Sequence, residues 1–102
     1  MSRKKPGLRG RSPLSFKARQ ATERALEQGL ALQRAGDTPG AREHFDEVLR
    51  RDPRNPDALH LLGLVEAQAG RLAEGARLMA RAVAARPGIP GFHHNLGEMP
   101  PP

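Results

Sequence analysis

Four residues in the second half of this chain, His60, His93, His94 and Glu98, have side chains of the kind that ligate transition metals. His60 and His94 stand 34 residues apart, an interval that recurs below. Three of the four fall close to the end of the chain, where a short helix holds ligands poorly. The favoured reading is therefore that the histidines are polar surface residues and that no metal or other cofactor is bound. His44 lies on a polar helix face with no evident partner. Other catalytic constellations are missing from the sequence. There is no cysteine, which excludes a thiolate metal site, a disulfide framework and a cysteine nucleophile. Ser2, Ser12 and Ser15 have no base placed near them. Gly7-Leu8-Arg9-Gly10 is too short, and lacks the preceding strand, to cradle a phosphate. No carboxylate pair stands in an apolar setting. The expectation is a protein that is not an enzyme.

What positions these residues is a repeat. Gly29, Gly63 and Gly97 are spaced by 34 residues, and so are Gly36 and Gly70, Pro53 and Pro87, and Pro56 and Pro90. Ala41 and Phe45, four apart, are answered at the same interval by Gly75 and Met79. A fixed period of this length indicates units that cannot bury their apolar faces alone and must stack.

Each unit reads as two helices. The first predicted helix runs to about Ala35 and begins as early as Ser15; Gly36-Asp37 ends it. Thr38 is the predicted cap of a second helix with Pro39 in its first turn, a position that tolerates a missing N–H. That helix, about 39–51, places Ala41, Phe45, Val48 and Leu49 on one stripe. Asn55 caps a third helix that opens with Pro56 and Asp57 and runs to about Ala69, rich in leucine. Gly70 ends it. A fourth helix, about 73–85, has Ala76, Met79, Ala82 and Val83 as its buried side. Residues 91–99 can begin a fifth, which Pro100, Pro101 and Pro102 stop.

The chain of 102 residues carries a formal charge of +6. The excess is confined to residues 1–22, which hold seven lysines and arginines and no acid; the rest balances ten arginines against eleven carboxylates. The N-terminal segment, basic and interrupted by Pro6, Gly7, Gly10 and Pro13, is expected to be disordered. Its charge offers a route to nucleic acid or anionic surfaces, although Phe16 is its only aromatic residue. No apolar run approaches the roughly 20 residues needed to span a bilayer, and the first residues lack the apolar stretch of a secretory signal; a cytoplasmic location is the expectation.

A helix–turn–helix unit of 34 residues resembles the tetratricopeptide repeat (TPR) family. The resemblance is carried by Leu62-Gly63, Gly70, Gly75, Met79, Ala82 and Pro87 in one unit, by Gly29, Gly36, Ala41, Phe45, Val48 and Pro53 in the other, and by Leu96-Gly97 in the opening of a third. It implies an all-α fold of antiparallel helix pairs stacked as a short right-handed solenoid. The division is a basic tail over 1–21, full repeats over 22–55 and 56–89, and a truncated third over 90–102. Close approach is expected where Gly29 and Gly63 on the first helices face Ala41 and Gly75 on the second, with Phe45 and Met79 filling the wider space between repeats. Leu32 and Glu66 stand where the family often has an aromatic residue.

By the same resemblance the first helices line a concave groove that receives a peptide. Here it would present Leu26, Leu30 and Gln33, then His60, Leu64 and Glu66 or Ala67, then His94 and Glu98. Some relatives clamp a peptide carboxylate with lysine and asparagine, but the matching places here hold Glu23, Glu27, Asp57 and His60. Relatives attached to sugar-transferring enzymes carry a groove asparagine in every repeat; Glu27 and Leu61 replace it, and only Asn95 fits. The leading expectation is a scaffold that binds a partner protein or peptide in this groove, with self-association through exposed repeat ends. The alternatives are an N-terminal piece of a larger TPR-containing glycosyl- or sulfotransferase, and a nucleic-acid-associated protein acting through its tail.

Overall fold

A computed structural model describes residues 13–89 and Gly91 of the chain. It contains four helices among those residues: α1 (Pro13–Arg34), α2 (Thr38–Arg51), α3 (Pro56–Gln68) and α4 (Leu72–Ala85). The predicted fifth helix, with Leu96 and Gly97, lies outside the described residues. α1 packs on α2 and α3 on α4, while α2 and α3 form the junction between the two pairs and α1 also touches α3. This is the all-α, repeated-hairpin architecture that the resemblance implied.

The helix ends follow from local chemistry. Gly36 and Gly70 have positive φ angles of 87° and 89°, and both finish their helices in the same hydrogen-bonded turn. The Gly36 N–H donates to the Gln33 carbonyl and the Asp37 N–H to that of Leu32; Gly70 and Arg71 repeat this toward Ala67 and Glu66. Such paired bonds satisfy the last carbonyls of a helix, and the left-handed residue they require is almost always glycine. At the start of α3, Asn55 Oδ1 accepts from the Ala58 N–H at 2.9 Å, with Pro56 following. At the start of α2 the cap is Asp37 and not Thr38: Asp37 Oδ1 accepts from the Gly40 N–H at 3.0 Å. Thr38 has the chemistry to cap, but Asp37 already stands where the turn after Gly36 delivers it.

The core comprises Ala41, Phe45 and Val48 of α2, Ala58, Leu59, Leu62 and Val65 of α3, and Leu78, Met79 and Ala82 of α4. Leu26, Leu32, Leu49, Leu61, Val83 and Ile89 pack around it, partly buried. Ala76, expected inside, is only half-buried. The glycines set how near the helices come. A Cβ on Gly75 would lie 2.8 Å from the Gly63 carbonyl oxygen, and one on Gly63 would lie 3.0 Å from the Gly75 carbonyl oxygen, so here the two backbones meet directly. In both pairs the large residue of the second helix also closes on the glycine of the first: a Cβ on Gly29 would fall 2.5 Å from Cε1 of Phe45, and one on Gly63 2.8 Å from Cγ of Met79. The phenyl ring occupies the space that glycine leaves within its own repeat.

The candidate groove and the buried carboxylate

The inner side of α1 and the start of α3 enclose an open cavity of about 310 Å³. Leu26 and Leu30 of α1 and Leu61 of α3 supply its apolar surface, Glu23 and Glu27 of α1 and Asp57 of α3 its carboxylates, and His60 completes it. Residues four apart lie on one helix face, so the glutamates and the leucines form two parallel stripes along α1. No lysine or arginine lines this cavity. Burial pushes the His60 imidazole below its ordinary pKa of 6.5, against the opposing pull of the Asp57 charge; the ring is therefore neutral near pH 7 and does not offset the acids.

Of the residues expected to form a groove, Leu26, Leu30 and His60 thus come together around one cavity. Gln33 sits farther along α1, where its Nε2 donates to Gln68 Oε1 at 3.2 Å across the α1/α3 gap, leaving its own buried Oε1 without a partner. Leu64 is half-buried on α3. His94 and Glu98 lie outside the described residues, as does His93. Among the described residues no group of three or more His, Cys, Asp or Glu is placed to hold a metal ion. His44, which had no evident partner, places Nδ1 3.0 Å from the Gly40 carbonyl oxygen one turn back; the carbonyl can only accept, so the ring nitrogen donates.

Glu66 does not face a groove. It is buried, with 5% of its surface exposed, and two arginines meet it. Nε of Arg42 on α2 donates to Glu66 Oε2 at 2.8 Å, and Nε of Arg71 donates to Oε1 at 2.7 Å. Burial alone would raise the Glu66 pKa, but the hydrogen bonds from Arg42 and Arg71 and their charges outweigh it and hold the carboxyl below its ordinary range. The backbone places Arg71: its N–H already bonds the Glu66 carbonyl in the turn after α3, which brings the guanidinium back over the same residue. Nearby Asp46 is pushed up by its own burial and by the Glu66 charge, against the pull of Arg50 and Arg42. Sequence reasoning missed this cluster. Its one signal was a charged residue in a slot that the preceding repeat fills with Leu32.

The geometry is that of a helical-repeat protein, and the comparisons specify which kind. The tetratricopeptide repeat family matches residues 26–90, and the chain belongs to it. Among solved structures, an O-GlcNAc transferase mutant from Thermobaculum terrenum is similar, with 37% identity and a TM-score of 0.74. The match covers 76% of this chain and 15% of that one, so the chain spans a small part of that enzyme's length. No curated protein matches. Repeats of this family are generally protein-interaction modules, and the repeat fold itself is non-catalytic. No helix among the described residues is long and apolar enough to cross a membrane.

Proposed function

We propose that the chain binds a peptide segment of a partner protein in the cavity between α1 and α3. The observation that carries this reading is the convergence of Leu26, Leu30 and Leu61 on one open space of about 310 Å³. An open cleft lined largely by apolar side chains with a few polar groups makes a site for an inserted side chain. Recognition would be docking without chemistry. A selection of displayed peptides against the full chain tests it: a recurrent apolar position should emerge, and Leu30→Ser should weaken the selected peptide at least tenfold while leaving the thermal melt nearly unchanged. Peptides that bind Leu30→Ser as well as the unaltered protein would place docking elsewhere.

A second reading keeps the same groove but sets it in the repeat array of a larger transferase. It is favoured by the 37% identity to the O-GlcNAc transferase chain over 76% of this sequence. In that case the groove would choose which protein is presented for modification elsewhere in the longer molecule.

A further inference from the structure

The cavity between α1 and α3 has a chemical sign. Glu23, Glu27 and Asp57 line it together with Leu26, Leu30 and Leu61, and no lysine or arginine is among the lining residues. An adjoining depression of about 190 Å³ shares Glu23 and Glu27 and adds Gln20 and Arg24, so one cation reaches the outer edge against three carboxylates. The chain as a whole is basic, at +6. That excess lies in residues 1–22, whereas residues 23–102 nearly balance ten arginines against eleven carboxylates, so three carboxylates lining one cavity with no lysine or arginine among them concentrate negative charge locally. An occupant lying on the leucines displaces water from those carboxylates. Without a positive partner their lost hydration is uncompensated, and a negative partner adds repulsion.

We infer that the occupant of this cavity is a segment of a partner protein that inserts an apolar side chain on Leu26, Leu30 and Leu61 and sets arginine or lysine against Glu23, Glu27 and Asp57. The inference rests on the reading of the cavity as a docking groove and adds the chemistry of what docks. The glutamates one turn apart on α1 repeat at about 5.4–6 Å. Alternate side chains of an extended peptide repeat at about 6.6 Å. A segment that lays apolar side chains on the leucines can therefore bring the long, flexible side chains of neighbouring arginine or lysine residues to the adjacent glutamates at a matching spacing. The size of the space, at the lower limit of the ~300–1,000 Å³ of typical ligand pockets, admits one or two side chains and not a packed element.

The test is fluorescence anisotropy with the full chain and two labelled synthetic peptides, one alternating leucine with arginine and one alternating leucine with glutamate. The arginine peptide should bind at least tenfold more tightly. That preference should vanish in the combined Glu23→Gln, Glu27→Gln, Asp57→Asn variant. It should persist in Glu43→Gln, Glu47→Gln, Glu74→Gln, which changes net charge equally on α2 and α4. An ionic-strength series on the unaltered protein gives a second readout that needs no variant to fold: the preference should shrink as salt is raised to about 1 M, where the screening length is about 3 Å. If the glutamate peptide binds as well, or the preference survives the groove substitutions, the inference fails; loss of binding in Leu30→Ser would then still uphold the groove itself. If neither peptide responds to Leu30→Ser or to the groove acids, the groove reading falls with it. Replacing Arg3, Lys4, Lys5, Arg9 and Arg11 by glutamine should leave the arginine peptide's affinity unchanged. A tenfold gain would mean that the chain's own N-terminal segment occupies the site, and would overturn the assignment to a partner.

Discussion

Glu66 of α3 is joined to Arg42 of α2 by a bond of 2.8 Å, although the two stand 24 positions apart and belong to different repeats. Arg71, in the turn after α3, takes the other carboxylate oxygen at 2.7 Å. The α2/α3 junction is therefore held by an ionic cluster as well as by apolar packing. Removing one member of a buried pair leaves the other without its partner, which costs more than the pair contributes. Arg42 keeps about a quarter of its side chain exposed (27%) and can turn to water, so Glu66→Ala should cost about 2–3 kcal/mol, read by urea denaturation. Glu66→Leu also leaves Arg42 and Arg71 without the carboxylate but fills the space with the residue type found at Leu32, so it should cost less than Glu66→Ala by the avoided cavity.

Two pH windows separate the cluster from the cavity. The folded Glu66 has a lowered pKa, so its contribution is fully present above the unfolded value, near 4.5, and is lost as pH falls through the folded one. The folded His60 also has a lowered pKa. The unfolded chain takes up that proton first, so stability begins to decline as pH drops below about 6.5 and levels off below the folded value. Asp46, raised by burial, works in the opposite direction to Glu66, gaining stability on protonation. Denaturation at a series of pH values should show the upper decline vanish in His60→Gln and the lower one shrink in Glu66→Gln.

The glycine contacts predict different responses to the same methyl group. In Gly75→Ala the new carbon would meet the Gly63 carbonyl 2.8 Å away, and backbone must move; a cost of about 1–3 kcal/mol is expected, partly offset by alanine's helix preference. In Gly29→Ala the obstacle is the Phe45 ring, at 2.5 Å. Trimming that ring makes room, so the double substitution with Phe45→Leu should cost less than the sum of the two single ones. A thermal-melt cycle over the four proteins measures the coupling; strict additivity would mean the ring and the glycine do not compete for space.

At Gly70 nothing lies within 4 Å of an added Cβ, yet φ is +89°. The penalty for Gly70→Ala is then conformational alone, about 1 kcal/mol or somewhat more, and Gly70→Asn should recover part of it because asparagine tolerates the left-handed region. Asn55→Ala removes the hydrogen bond to the Ala58 N–H and should cost about 1 kcal/mol. Both are read as shifts of the denaturation midpoint at constant slope.

The sequence made legible whatever depends on backbone punctuation. Gly36 and Gly70, Pro56 and the Asn55 cap announce helix ends because each has one main structural use, and the 34-residue interval transfers the reading from one unit to the next. Thr38 was misread by one position because threonine and aspartate cap alike, and only the turn geometry after Gly36 decides between them. Glu66 was out of reach for a different reason. Its partner Arg42 lies on another helix, and exposed arginines on amphipathic faces look alike until the junction forms. The cavity falls between these cases. Glu23, Glu27, Asp57 and His60 could each be placed on a first helix from spacing, but their convergence depends on how α1 settles against α3, which no local signal encodes.

The amide contact between Gln33 and Gln68 ties α1 to α3 near their C-terminal ends, beside the turn that carries Arg71, whereas Glu23, Leu26 and Asp57 line the space toward the other end. The amide bond and the carboxylate-lined space thus lie toward opposite ends of the same helix pair. About 15 Å of α1, at 1.5 Å per residue, separates Gln33 from Glu23. A substitution at Gln68 would therefore loosen one end of this pair without altering any residue that lines the cavity.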